Sequence, residues 1–168
     1  MPNLRTLYAL GFIMCVVMMG AALFYFQRFL GLEPCPLCIL QRVVVIALGM
    51  VLLVAAIHGP NGWGNRIYGG LIMLIAGSGA AVAGRHVWLQ SLPADQVPEC
   101  GPTLDYILQV FPLSEALLLV LRGSGECAKV EWQFLGLSIP GWTLIAFTGF
   151  ILFGLMLLLH RRSDRPAR

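Results

Sequence analysis

The sequence predicts an all-α fold: a polytopic membrane four-helix bundle, one domain over residues 1–168, with two longer loops on one face of the bilayer. Three observations predict it. Of the 168 residues, 58% are hydrophobic and only 11% are charged, against about 45–50% and about 25% in a soluble domain. The mean hydropathy is +0.82. Four uncharged runs, at residues 7–26, 43–57, 67–84 and 142–159, approach or reach the roughly 20 apolar residues that a helix needs to cross a bilayer core. The same composition excludes an ordinary cytosolic enzyme and a disordered chain. A net charge of +3 without a basic stripe excludes a nucleic-acid binder.

The first run has Arg5 as a basic flank, like a signal peptide. It is longer than the roughly 7–15 residues of a signal core and no A-x-A cleavage site follows, so it reads as a retained span. The second run becomes long enough if its helix starts nearer Pro36. The third carries small residues at Ala76, Ala80 and Gly84, and again at Gly69, Gly77 and Ala81; such rows let membrane helices approach closely. Pro140 and Gly141 set off the fourth. The spans expected are about 7–26, 39–58, 67–86 and 141–160, with loops at about 27–38 and 87–140. The Gly-rich stretch 59–65 has no phosphate-loop pattern and reads as a tight turn.

Charge gives the direction. Arg5, Arg66, Arg161, Arg162, Arg165 and Arg168 fall on the face of the termini; Arg28, Arg42, Arg85, Arg122 and Lys129 fall on the other. Arg42 and Arg85 sit at helix ends, where they can snorkel. Arg122 and Lys129 lie in a long loop, which translocates with little regard to charge. The termini are therefore expected in the cytoplasm and both longer loops outside.

Four of the five cysteines fall on that outer face: Cys35 and Cys38 in the first loop, Cys100 and Cys127 in the second. An even set on an oxidising face reads as disulfide chemistry. Cys15, in mid-span, reads as an inert apolar filler. Cys35, Pro36, Leu37 and Cys38 form a C-x-x-C pair. Pro36 suits the first position of a helix, and the free N–H groups and dipole of a helix start favour a thiolate. The alternatives are half of a zinc site or a purely structural pair of disulfides. For zinc, the other half would be Cys100 and Cys127, 27 positions apart and not a knuckle, so no metal site is expected.

Arg42 follows Cys38 by four residues and shares its helix face. It either snorkels or serves the site, stabilising a thiolate and donating to an anionic acceptor such as a quinone oxygen; Gln41 could donate at the same level. His86 falls at the outer end of the third span, at roughly the depth of Arg42. It is either structural or part of a cofactor pocket. His58 and His160 lie on the opposite face, so a haem lacks a ligand pair. The second loop is long enough to suggest function. Its residues 103–121 could lie on the membrane surface as short amphipathic helices broken at Pro112. Pro98 and Pro102 make the surroundings of Cys100 an extended segment that another protein could grip. Gly123, Ser124 and Gly125 should let Cys127 move.

Taken in order, these features resemble the DsbB family of bacterial inner-membrane disulfide oxidoreductases. The resemblance rests on four spans, on Glu33-Pro34-Cys35-Pro36-Leu37-Cys38, and on Gln41-Arg42 one turn later. It also rests on the pair Cys100 and Cys127, and on Glu131-Trp132-Gln133-Phe134-Leu135-Gly136-Leu137 before the last span. It implies two periplasmic loops in a multi-pass inner-membrane protein with cytoplasmic termini. It implies a quinone-dependent protein-dithiol oxidoreductase that reoxidises DsbA, a periplasmic thiol oxidase, with ubiquinone or menaquinone as cofactor. Cys100 would take the attack of the reduced partner and its bond to Cys127 would break. Cys127 would exchange with Cys35, and Cys38 would be released facing the quinone. Arg42 would polarise the quinone, and His86 would lie near it. DsbA is a strong oxidant at about −120 mV, so its reoxidation needs a still stronger acceptor, which a membrane quinone supplies. The vitamin-K epoxide reductase group also joins a four-helix bundle to C-x-x-C, but there the motif opens a late helix, whereas here it opens the second.

Overall fold

The computed structural model describes residues 4–93, 96–97 and 104–159. Its first element is helix α1 (Leu4–Gly20), which runs on without interruption into a π-helical segment (Ala21–Phe29). Helices α2 (Pro36–His58) and α3 (Trp63–Gln90) follow, joined by a tight turn, and helix α7 (Ile139–Leu159) ends the described chain. Between α3 and α7 come three short helices, α4 (Leu104–Val110), α5 (Leu113–Arg122) and α6 (Gly125–Ala128), and a hairpin of β1 (Gln133–Phe134) and β2 (Leu137–Ser138). The segments Leu4–Phe29, Pro36–His58, Trp63–Gln90 and Ile139–Leu159 are all long and apolar enough to cross a membrane.

The four long helices pack as a bundle, with α3 against α7, α1 against α2, and α2 against α3. Each turns one stripe inward. On α2 the stripe is Leu37, Gln41, Val45, Leu48, Leu52 and Ala55; on α3 it is Gly69, Ile72, Ala76, Gly79, Ala83 and His86. Both follow the three-and-four spacing of a helix face. The opposite surfaces stay apolar, with Val17, Ile57, Leu74 and Leu152 exposed, as a helix facing lipid requires.

The α3 stripe differs from the rows expected from sequence. Ala76 is buried, but Ala81 is exposed and nothing lies within 4 Å of where a Cβ on Gly77 or Gly84 would stand. A strict spacing of four drifts by about 40° per step around a helix of 3.6 residues per turn, so such a row leaves the interface. The close approach to α7 is made by Gly69, where a Cβ would stand 2.9 Å from the Gly154 carbonyl oxygen. Gly154 returns the contact, with a Cβ position 2.8 Å from the Gly69 oxygen.

Polar groups in the bundle are paired. Tyr8 donates to Asn65 Oδ1 at 3.0 Å deep between α1 and α3. Arg5 donates from Nε to Ala56 O at 2.7 Å and from Nη2 to Ile57 O at 2.9 Å. It thereby caps the carbonyl end of α2, which closes at Gly59 in the left-handed conformation (φ 61°). Among the described residues no buried side-chain nitrogen or oxygen lacks a partner.

The second loop folds back on the bundle. Pro112 breaks it between α4 and α5, and α5 buries Ala116 and Val120 while exposing Leu113, Leu117 and Leu118. Arg85 ties this layer down: it donates to Leu121 O and Arg122 O at 3.4 and 3.2 Å and lies 4.2 Å above the Trp88 ring. Gly123 (φ 78°) presses against Leu89 and Leu37, and Gly125 and Cys127 are buried. In this glycine run, Gly123 lets the backbone approach Leu89 and Leu37 closely, and Cys127 is seated in the core beside them. The hairpin turns at Leu135 and Gly136, both at positive φ, as a two-residue turn between paired strands needs. Its aromatic rings continue a cluster of Phe26, Trp132, Phe134 and Trp142 at the level where aromatic side chains favour a membrane interface.

Candidate functional site: a thiol cluster between two cavities

Helix α2 starts at Pro36 because proline's missing N–H would be unpaired there in any case. That places Cys35 at the N-cap, with extended backbone (φ −65°, ψ 161°), and Cys38 in the first turn. Their sulfur atoms lie 3.0 Å apart. Helix α6 brings Cys127 to the same point from the second loop. Cys127 is fully buried, and its Sγ, the Cys35 Sγ and a ring nitrogen of His86 all lie within 4.8 Å of one another. Cys15, Cys35, Cys38 and Cys127 all carry free thiols. Cys35 is thus the hub, in reach of a sulfur on its own helix and of one from the other loop.

The Cys127 thiol is pushed well above its ordinary value. Its hydrogen bond to Cys35 is the largest cause, followed by burial and by the negative charge that Cys35 carries when ionised; backbone groups of Ser124 and Leu37 pull weakly the other way. Cys127 is therefore held as a protonated thiol beside Cys35.

His86 is 3% exposed and faces the cluster from α3. Its Nε2 lies 3.8 Å from Cys35 Sγ and its Nδ1 lies 3.3 Å from the Gln41 side-chain amide. The other end of that amide meets Thr143 Oγ1 of α7 at 2.6 Å. A line of polar groups thus runs from the thiols through His86 and Gln41 to the last helix. Arg42, one residue on, turns away from this line toward the π-helical segment. It donates to Gln27 Oε1 at 2.9 Å and to Ala22 O at 3.3 Å.

Two cavities meet at the cluster. One is an open cleft of about 570 Å³ with Cys35, Cys38 and His86 on its wall and Glu33, Glu126 and Glu131 around it. The other, of about 110 Å³, is walled by Met18, Met19, Phe26 and Val45, with Arg42, Gln41 and Thr143 among its polar groups and Glu33 and Glu131 shared with the first. Cys38 lines both. Cys35 and His86 touch only the first cavity, and Arg42 only the second. Most of the smaller cavity's wall is apolar, with the Arg42 cation and the Glu33 and Glu131 carboxylates at its sides.

A family model described as disulfide bond formation protein DsbB matches residues 4–157. The chain belongs to the DsbB family. Its relatives include the disulfide bond formation protein B of Marinobacter nauticus, 53% identical over 161 residues, covering 96% of this chain and 95% of that one. The protein of the same name from Nitrosococcus oceani is 58% identical over 145 residues, 86% of this chain and 85% of that one. Disulfide bond formation protein B 1 of Pseudomonas aeruginosa is 46% identical over 157 residues, 94% and 96% of the two chains.

In this DsbB-family chain, three of the four cysteines singled out from sequence converge, and Cys100 lies outside the described residues. Arg42 shares a cavity with Cys38, and His86 touches Cys35. Sequence reasoning missed Gln27 and Thr143 and gave Gln41 only a minor part. Gln41 and His86 did carry a signal, since each is a polar residue in phase with an inward apolar stripe. Gln27 and Thr143 carried none.

Proposed function

We propose that this protein oxidises the dithiol of a DsbA-like periplasmic thiol oxidase and passes the electrons to membrane quinone, ubiquinone or menaquinone. The DsbB family works in disulfide bond formation, and this member is a multi-pass membrane disulfide oxidoreductase. The finer reading is carried by one observation: Cys38, 3.0 Å from Cys35, lines both the open cleft and the apolar cavity beside Arg42. Both loops then face the periplasm, and the termini the cytoplasm.

In this reading a partner thiolate attacks Cys100 of a Cys100–Cys127 disulfide. A mixed disulfide forms and Cys127 leaves as a thiol. Cys127 attacks Cys35 of the Cys35–Cys38 disulfide, forming the inter-loop bond and releasing Cys38 as a thiolate. The partner's second thiol then displaces Cys100 and the partner leaves oxidised. Cys100 attacks Cys127, which restores their disulfide and frees Cys35. A quinone held in the apolar cavity supplies the two-electron, two-proton sink that lets Cys35–Cys38 re-form. Arg42 offers that cavity a fixed cation, held by Gln27 and Ala22 O, and His86 stands where a proton on Cys35 can be taken or returned.

The test is quinone reduction by the purified protein with reduced DsbA as donor, comparing wild type with Cys38→Ser. Turnover that vanishes in the variant supports the reading. An intact, oxidised wild-type sample that turns over neither quinone class sinks it.

A further inference from the structure

The convergence of Cys35, Cys127 and His86 has a chemistry that disulfide exchange does not use. We propose that the reduced protein binds one zinc ion on Cys35 Sγ, Cys127 Sγ and His86 Nε2, and that this ion locks the inter-loop thiols out of exchange until it leaves.

The ligand atoms fit. Zinc binds thiolate at about 2.3 Å and imidazole at about 2.0–2.1 Å with tetrahedral angles, so a bound sulfur and nitrogen lie roughly 3.6 Å apart and two sulfurs roughly 3.8 Å apart. Cys35 Sγ and His86 Nε2 are 3.8 Å apart, and all three atoms lie within 4.8 Å. Two of the three ligand residues, Cys35 and His86, line the open cleft, from which a water can complete the shell.

The surroundings fit as well. A ligating histidine needs its other ring nitrogen held, and Gln41 holds Nδ1 here. As placed, Gln41 Nε2 faces Nδ1 and the Thr143 hydroxyl donates to Gln41 Oε1 at 2.6 Å. Turning the amide end for end, which moves no heavy-atom position, sets the Gln41 carbonyl on Nδ1–H and its nitrogen on Thr143 Oγ1, whose hydroxyl then donates to Pro140 O at 3.0 Å. Every donor then has an acceptor, and Nε2 turns a lone pair toward the sulfurs. Two thiolates and a neutral imidazole cancel the charge of the ion, which suits a place where His86 is 3% and Cys127 0% exposed. Glu33, Glu126 and Glu131 around the cleft favour entry of a cation, with Lys129 the opposing charge. Binding releases one proton from each thiol and changes no oxidation state. Closing Cys35 or Cys127 into any disulfide removes a ligand, so the site exists only in the reduced protein.

The experiment uses the full-length protein in detergent, reduced and then freed of reductant. Zinc is titrated against a chromophoric chelator, and cobalt(II) serves as a spectroscopic stand-in. The expected result is one equivalent of zinc, bound at least tenfold more weakly by the oxidised protein and by His86→Ala, and more weakly still by Cys127→Ser. Cys15→Ser and Cys100→Ser should bind like wild type. Unchanged affinity in His86→Ala and Cys127→Ser would place the ion on the Cys35–Cys38 pair alone and overturn the assignment, as would loss of binding in Cys100→Ser or no binding at all. Should one of these variants fail to fold, cobalt on reduced Cys38→Ser decides: sulfur-to-metal absorption of two thiolates, as in the unsubstituted protein, supports the site, and its loss sinks it. These readouts do not depend on turnover, so they stand apart from the proposed reaction.

Discussion

Arg42 of α2 donates to Gln27 Oε1 at 2.9 Å, joining the first turns of one helix to the π-helical end of another. In a π-helical turn the backbone is wider than in an α-helix. Here the widened stretch offers Arg42 both the Gln27 side chain and the Ala22 carbonyl. The guanidinium is thereby fixed beside the small apolar cavity instead of reaching for the membrane surface.

Removing the cation should act on the quinone rather than on the protein donor. Arg42→Ala is expected to raise the apparent quinone KM about tenfold or more, the loss of one charge-assisted hydrogen bond of about 1.5–3 kcal/mol, with the KM for the thiol donor little changed. Gln27→Ala should shift the same constant in the same direction by less. Steady-state kinetics with each substrate varied in turn makes the distinction; an unchanged quinone KM in both variants removes Arg42 from the cavity's function.

Thr143→Val keeps the shape of the side chain and deletes the hydroxyl that meets Gln41. Gln41 is 5% exposed, so its amide would lose a partner where water cannot replace it. A stability loss of about 1–3 kcal/mol is expected, read as a lowered thermal midpoint in detergent. Thr143→Ser, which retains the hydroxyl, should recover most of it.

The raised pKa of the Cys127 thiol predicts a pH dependence with a definite sign. A thiol held protonated in the fold but ionising near pH 8.5 when unfolded stabilises the fold fully below that pH. The contribution fades as pH rises from there toward the folded value. The reduced protein should therefore lose thermal stability between about pH 8.5 and 10 more steeply than its Cys127→Ser variant. Because Cys35 is the main cause of the shift, Cys35→Ser should speed alkylation of Cys127 at pH 8, by roughly tenfold for each unit its pKa falls. Equal slopes for wild type and Cys127→Ser would contradict the assignment.

Gly69→Ala and Gly84→Ala should part company. A methyl group on Gly69 meets the Gly154 backbone, which cannot swing aside, and overpacking of this kind costs about 1–3 kcal/mol. On Gly84 it meets open space and should be neutral or stabilise the helix by up to about 1 kcal/mol. Thermal midpoints of the two variants, measured side by side, check this.

Much of the bundle was legible because its causes are local. Uncharged runs long enough to cross a bilayer can satisfy their backbone only as helices, and Pro36 marks where α2 begins. The C-x-x-C spacing brings Cys35 and Cys38 together without help from the rest of the fold. What escaped the sequence depends on how helices meet. His86 is 51 residues from Cys35, and Thr143 is 102 from Gln41; only the α2–α3 and α3–α7 packing brings these groups into one line. The π-helical turn escaped too, since no proline or glycine within Ala21–Phe29 announces it. The partners of Arg42 were unreadable for that reason. The grouping of Cys35, Cys127 and His86 escaped for a related one: spacing arguments count cysteines along the chain, whereas the third atom of this cluster comes from a histidine on another helix.

Cys38 belongs to the walls of two adjoining compartments, one with a mainly polar wall and one with a mainly apolar wall. On the proposed reading, a soluble protein and a lipid-dissolved acceptor would be served by the same sulfur relay from different sides. On that reading the kinetics would be those of a two-site exchange, in which neither reactant blocks the entrance of the other. The rate would then follow the supply of unfolded secreted chains on one side and the respiratory state of the membrane on the other, each read independently.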